Sequence, residues 1–280
     1  MSAHPLAELL RRFAVHWLSC ADPEAARTIF ADDYVMEIGG FVARGREEGY
    51  LPASTGQLAR FPGLLVTVHD VVLAPDRAAL RFTEHGPSAT EGEGAAAWRG
   101  VSLFAWDGAR LTHNVTEEDY AGRRRQLRSG IADPVEGPAT APWAAVPAAP
   151  DPAVEEVVRR ALAGGVPAAL SADDAWAGEP TPPLLDVERV EVRDLFTAGD
   201  RAGFAVTEHG RYRGGAGVPD ALVGTPASLG SVGLVRVDTA DPADTADTAD
   251  PAAATLTGHV VRDRSGLRRA LLESARAAAS

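Results

Sequence analysis

LLVTVHDVVLAPDRAALRFTEHG, at Leu64–Gly86, recurs later in the chain as VERVEVRDLFTAGDRAGFAVTEHG, at Val187–Gly210. Each copy is a run of alternating β-branched and polar residues, a short turn through Asp-Arg, and a second apolar run that ends in Thr-Glu-His-Gly. Period-two alternation on both sides of a turn signals a β-hairpin. A hairpin met twice at a fixed position within a larger pattern signals a duplicated unit, and that reading sets the fold.

Working outward, the matches continue. EAARTIFADDY parallels PAALSADDAW, and ARLTHNVTEEDYAGRRRQL parallels ATLTGHVVRDRSGLRRALL. The Ala31–Asp33 and Ala172–Asp174 triplets lie 141 positions apart, the two TEHG segments 124, and Leu127 and Leu271 lie 144 apart. The second copy is therefore shortened before TEHG, where the first has EIGGFVARGREEGYLPASTGQLARFPG, and lengthened after it. The added segment holds a low-complexity Asp-Thr-Ala loop, residues 238–254, which cannot bury a core and is expected to be a mobile hairpin loop. Residues 130–152 contain six prolines and predict an extended, semi-rigid linker. The expected organisation is a first domain at 1–129, this linker, and a second, degenerate domain at 153–280.

In the first copy, PLAELLRRFAVHWLSC predicts an amphipathic helix over 5–20, since Leu6, Leu9, Leu10, Phe13 and Trp17 recur at three- and four-residue spacing. A second helix begins at Asp22–Pro23, an N-cap followed by proline at the first helical position. DDYVMEIGG predicts a strand, and Asp107–Gly108 a hairpin turn between two further strands. EEDYAGRRRQLRSG closes the unit as a helix.

Helix, helix, strand, a connecting segment and a run of antiparallel strands resemble the NTF2-like superfamily, and within it the SnoaL-like polyketide cyclases and ketosteroid-isomerase-like proteins. ARTIFADDYVMEIGG with RGREE, the Leu64–Gly86 hairpin, and WRGVSLFAWDGARLTHNV carry the resemblance. It covers residues 6–128 well and 153–273 mainly through their match to the first half. It implies an α+β fold, two tandem cone-shaped barrels in which a curved antiparallel sheet wraps on helices. It also implies a pocket, aldol-type cyclase, isomerase or epoxide-opening chemistry in some members, and ligand or partner binding alone in others. Such domains commonly pair through their sheets, so an intramolecular pseudo-dimer is expected here, with a homodimer as the other assembly.

Strand parity assigns the first candidate. In AALRFTEH, Leu80, Phe82 and Glu84 share one face, while Arg81, Thr83 and His85 share the other. The apolar face points inward, so Glu84 faces the pocket and does not pair with its neighbour His85. Glu208 is its counterpart, in a copy that lacks the segment covering the pocket. Burial raises a carboxyl pKa and poises it for acid/base work, whereas a carboxylate at the sheet margin is merely solvated or paired. Glu37 in VMEIGG is the second candidate. Isomerase-like relatives carry their catalytic Asp beside this position, where Ile38 aligns here, and a one-residue shift lets Glu37 serve; otherwise it is a strand-end charge. His113 and Asp119 follow on the last strand. SnoaL-like cyclases place a catalytic Asp near its end, with Asp119 the nearest match, although acids there also suit a helix N-terminus. Trp17, Tyr34, Tyr50 and Trp98 are candidate substrate-binding aromatics or plain core.

Composition excludes several classes. The net charge of −12 disfavours nucleic acid and anionic membranes as partners. The sequence contains no lysine, which removes lysine Schiff-base chemistry. A single cysteine, Cys20, rules out an intrachain disulfide, and no His or Cys spacing suggests a metal. No apolar run is long enough to span a bilayer, and no secretory leader is visible, so the cytoplasm is the expected compartment. The sequence thus predicts a cofactor-free acid/base enzyme of bacterial secondary metabolism acting on a small apolar metabolite, as a cyclase, isomerase or epoxide-opening hydrolase. The site would combine Glu37 and Glu84 with help from His113 or Asp119. The rival reading is a non-catalytic ligand-binding or scaffolding protein.

Overall fold

The computed structural model describes residues 3–174, 182–238 and 255–279. Most of the Asp-Thr-Ala loop expected at 238–254 lies outside the described residues.

The chain is α+β and is built as two tandem halves, each around one mixed sheet. In the first, α1 (Pro5–Arg12) starts at proline with the His4 side chain capping it, then widens into a π-helical stretch, Phe13–Ser19. The expected helix over 5–20 is thus one amphipathic rod with a change of pitch. α2 (Pro23–Ile29) begins where Asp22 accepts from the Glu24 amide at 3.0 Å. It leads into β1 (Phe30–Ile38), β2 (Phe41–Arg44), α3 (Leu51–Arg60), β3 (Leu65–Leu73), β4 (Arg77–Pro87), β5 (Ala95–Trp106), β6 (Leu111–Glu118) and α4 (Tyr120–Ser129). The strand order is β2-β1-β6-β5-β4-β3, antiparallel except for β1 against β6. The concave face closes on α1, α2 and the π-helical stretch through Leu6, Leu10, Phe13, Trp17, Ile29, Phe30, Leu80 and Phe82.

The second half repeats this order with one strand fewer. After α5 (Pro152–Leu162) come β7 (Ser171–Ala172), β8 (Leu185–Ala198), β9 (Arg201–Tyr212), β10 (Pro226–Asp238), β11 (Thr255–Arg262) and α6 (Arg264–Ala279), arranged β7-β11-β10-β9-β8. β4 and β9 carry the two TEHG segments at matching places. Among the described residues there is no equivalent of β2 or α3, the elements that cover the first half's cone.

The two sheets pack back to back. Val72, Ala79, Val101, Leu103 and Val115 of the first meet Phe196, Ala205, Val232, Leu234 and Val261 of the second in one buried cluster. The approach is close: a Cβ at Gly203 would stand 2.7 Å from Leu103 Cδ2, so a larger residue there must push the sheets apart. Ion pairs frame the apolar contact. Arg81 meets Asp173 at 2.7 Å, Arg77 meets Asp194, and Arg201 meets Asp70. The proline-rich segment is strapped along the free edge of β3. Ala139 and Ala148 donate to the Val68 and Leu73 carbonyls at 2.9 and 3.0 Å, and Trp143 packs on the first core. Proline's missing donor does no harm on an edge strand's neighbour.

Candidate functional site

Between the concave face of the first sheet, the π-helical stretch and α3 lies a cavity of about 350 Å³. Phe13, Leu18, Met36, Ile38 and Phe82 give it an apolar interior, while Tyr50, Gln57, Glu84, Glu118, Tyr120 and Arg123 bring polar groups to it. Asp263, Ser265, Gly266 and Arg269 of α6 and the residue before it complete the wall, so the second half contributes to the first half's pocket.

Strand register explains why two carboxylates meet there. Glu84 on β4 pairs with Trp98 on β5, and Gly100, two residues on, pairs with Glu118 on β6. All four face the cone, and the space over Gly100 is taken by the Phe82 ring, which a Cβ there would meet at 2.5 Å. Glu84 and Glu118 are 2% and 8% exposed. Gln57 Nε2 donates to Glu84 Oε2 at 2.7 Å, and the Trp98 indole donates to Glu118 Oε2 at 2.8 Å. The Arg123 guanidinium sits 4.2 Å from the Tyr120 ring centre and 4.8 Å from that of Trp98, and donates to Gln57 at 3.3 Å.

Burial pushes the Glu84 carboxyl well above the usual range, and the Glu118 charge adds to this, against the opposing pull of Arg123, Trp98 and Gln57. Burial likewise raises Glu118, opposed by Arg123, Trp98 and Tyr120. Burial, followed by the Glu118 charge, also lifts the Tyr120 phenol well up. Two carboxyls that repel each other in a dry pocket hold one proton between them more readily than two negative charges.

The sequence-derived candidates divide. Glu84 stands where parity puts it. Its neighbour His85 faces away and contacts the Thr67 hydroxyl at 3.0 Å. Glu37 and Glu84 do not come together. Met36 and Ile38 take the inward positions of β1, so Glu37 points to the outer face. There it bonds His113 at 3.0 Å and pairs with Arg193 of the second half. Burial acts to raise Glu37, but His113 and Arg193 outweigh it, and its pKa is lowered. His113 shares that outer face, and the pair lies between the halves. The Glu37→Gln and His113→Ala variants are therefore expected to keep turnover within about twofold of wild type. A hundredfold loss in steady-state rate would return them to the site.

Asp119 is a helix cap. Its Oδ1 accepts from the Gly122 amide at 2.8 Å, and it also meets Arg264 at 3.3 Å. Burial lifts it to about 6, against Arg264 and the Gly122 amide. Asp263 caps α6 in the same way through Gly266 at 2.6 Å. A Cβ at Gly122 or Gly266 would fall 2.0 or 1.9 Å from the capping carboxylate, so each Asp-x-x-Gly needs its glycine. Asp-x-x-Gly occurs in both copies, DYAG and DRSG, which was the available signal for a structural role.

Of the aromatics, Tyr50 lines the cavity. Trp17 and Tyr34 are core, the Trp17 indole donating to the Tyr50 hydroxyl at 2.9 Å. Trp98 packs with Phe61, Leu64 and Leu127 and serves the site through its indole N–H. Glu208 accepts from the Val166 amide at 2.9 Å and so holds a turn. Glu118 belongs to the acidic run Glu117–Asp119 at the end of the last strand, from which the sequence reading takes Asp119 instead. On the last strand Leu111, His113 and Val115 share one parity, and Asn114, Thr116 and Glu118 the other. Val115 is buried beneath the second sheet, and Asn114, Thr116 and Glu118 face the cone. Among the described residues, no three His, Cys, Asp or Glu side chains are grouped to hold a metal ion, and no helix is long and apolar enough to cross a membrane.

The match to a family model falls in the first half. Residues 10–114 match the model of the SnoaL-like domain. No curated protein matches the sequence. Among solved structures, the chain is similar to IdmH, a candidate polyketide cyclase from Streptomyces antibioticus. The identity is 22% and the TM-score 0.41, over 45% of this chain and 99% of that one. It is also similar to a protein of ketosteroid isomerase-like fold from Catenulispora acidiphila, with 20% identity and a TM-score of 0.40, over 43% and 92%. TsrD from Streptomyces laurentii gives 21% and 0.40, over 45% and 97%. Over residues 10–114, this chain carries a SnoaL-like domain.

Proposed function

We propose that this protein is an acid/base enzyme that moves protons on a small, largely apolar metabolite, as a cyclase or isomerase of bacterial secondary metabolism. The observation that carries the proposal is the Glu84–Glu118 pair, two carboxyls buried in one cavity of about 350 Å³ and joined by the Trp98 indole. That volume suits a small organic ligand. The SnoaL-like domain supports the same class.

The chemistry follows from the shared proton. The ionised carboxylate takes a proton from carbon beside a carbonyl, and the protonated carboxyl hydrogen-bonds the oxygen on which charge gathers. In an isomerisation the proton returns to a different carbon. In a cyclisation the enolate carbon bonds to a second carbonyl of the same molecule, and the protonated carboxyl delivers its proton to the new alkoxide. Tyr120 is held neutral and can donate to the same oxygen. Arg123 keeps the pair from being doubly protonated. Neither route consumes an external reagent.

The domain limits 1–129, 130–152 and 153–280 fit this division of labour. We assign the second half the role of an internal packing partner that covers the outer face of the first sheet and closes the pocket with α6. That face is the one a homodimer would use, so a monomer is expected. A cytoplasmic location fits a single exposed, free cysteine, Cys20.

The proposal is tested by α-carbon exchange. In D₂O, the wild-type chain should load deuterium beside the carbonyl of apolar ketones or β-diketones well above the buffer rate, and Glu84→Gln should not. Exchange at the buffer rate across such a panel would contradict it.

A further inference from the structure

A cleft of about 670 Å³ between α4 and α6 plays no part in the acid/base site. Arg124, Arg125 and Arg128 line it from one helix, and Arg264 and Arg268 from the other. Helical geometry accounts for the convergence. Positions 124 and 128 lie one turn apart on one face, and positions 264 and 268 do the same on the facing helix. Two arginine rows thus confront each other, in a chain whose net charge is −12.

Some of this charge is answered. Arg125 pairs with Asp133, and Arg264 meets Asp119 and Asp174. Among the described residues, Arg124, Arg128 and Arg268 have no carboxylate partner; Arg268 donates to the Gly217 carbonyl at 3.3 Å. Burial lowers the Arg124 pKa, and the charges of Arg128, Arg268, Arg123 and Arg269 lower it further. A protein folding freely would not gather uncompensated like charges on facing helices, since each such pair costs stability. A second observation points the same way. The buried Ser265 hydroxyl, at the start of α6, has no hydrogen-bond partner among the described residues, and Ser265 lines this cleft.

We propose that the α4–α6 cleft is a binding site for a phosphate or diphosphate group, held by Arg124, Arg128 and Arg268 with the Ser265 hydroxyl. Guanidinium forks match the geometry of phosphate oxygens and are the residues of choice for it, and the multiple unanswered charges favour a multiply charged anion. Arg124 and Ser265 also line the Glu84–Glu118 cavity, so the two sites share a wall. The anion site stands on the cleft alone and does not depend on the acid/base reading.

Calorimetric titration of the full chain with pyrophosphate and with inorganic phosphate, at fixed ionic strength, tests the assignment. Saturable one-site binding is expected, tighter for pyrophosphate. Arg124→Gln and Arg268→Gln should each weaken it about tenfold or more, with the fold intact by circular dichroism. Arg268→Lys, which keeps the charge but loses the fork, should fall between. Absence of saturable binding, or binding that the glutamine variants retain at wild-type strength, overturns the assignment.

Discussion

Glu84→Gln and Glu118→Gln are each expected to reduce turnover by about 10²- to 10⁴-fold, the range usual for losing a positioned acid or base. The melting temperature at neutral pH should stay level or rise. The two effects go together because both come from burial. Each carboxyl is raised, so the folded state favours its protonated form. Their contribution to stability is therefore complete below the ordinary carboxyl range and is lost as pH climbs through the raised values. A glutamine keeps the shape without the charge and escapes that loss. Thermal scans should show the wild type losing stability from mildly acid to alkaline pH, with a flatter profile in Glu84→Gln. Asp119, also raised, adds to the wild-type slope and persists in both variants. A glutamine variant that melts well below wild type at neutral pH while remaining active would mark these groups as structural. Activity should follow a bell in pH, since one group must be ionised and the other protonated.

The second large effect belongs to the contact between halves. Arg81 is 4% exposed and bonds Asp173 through Nε at 2.7 Å and Nη2 at 3.0 Å, with Glu136 on its other side at 2.7 Å. Arg81→Met leaves Asp173 buried beside His259 alone, and breaking such a pair costs about 3–5 kcal/mol. Urea unfolding should show that loss, and adding Asp173→Asn should restore part of it by removing the stranded charge. Burial acts to raise Asp173, but its bonds to His259 and Arg81 outweigh this and lower it from 3.8 to about 2. A depressed carboxyl stabilises the fold above its ordinary value and stops doing so as pH falls through the lowered one. About 2 kcal/mol should therefore vanish between about pH 4 and pH 2 in the wild type, and far less in Arg81→Met. If Arg81→Met unfolds like wild type, the two halves are not held by this network.

Much of the architecture was legible because the chain states it twice. The repeated hairpin located β3, β4, β8 and β9, and Asp22–Pro23 and Asp107–Gly108 fixed a helix start and a turn by local chemistry alone. The same parity placed Glu84 inward. On β1 and β6 parity alone cannot choose the pocket face, because it assumes one buried face and one wet face. Here both faces are covered, one by the cone's own helices and one by the second sheet, so apolar residues such as Val115 mark the outer face as strongly as Phe82 marks the inner. Glu37, which the family resemblance put in the site, therefore lies on the outer face, and Glu118 lies in the cone. The α6 wall of the pocket and the arginine cleft arise between segments more than a hundred residues apart, where no local pattern reaches. The Asp-x-x-Gly caps, by contrast, were present in the sequence in duplicate.

The shared proton of Glu84 and Glu118 is the centre of this account, and it can be observed without a substrate. Carboxyl carbon NMR of the chain labelled at glutamate Cδ, titrated from pH 3 to pH 9, should show two coupled resonances that titrate above the ordinary glutamate range, that of Glu84 well above it. One should disappear in Glu84→Gln and the other in Glu118→Gln, with each survivor shifting down once its neighbour's charge is gone. If both carboxyls instead titrate near the ordinary 4.5 and ignore each other's replacement, the pocket holds two plain carboxylates and the acid/base account fails.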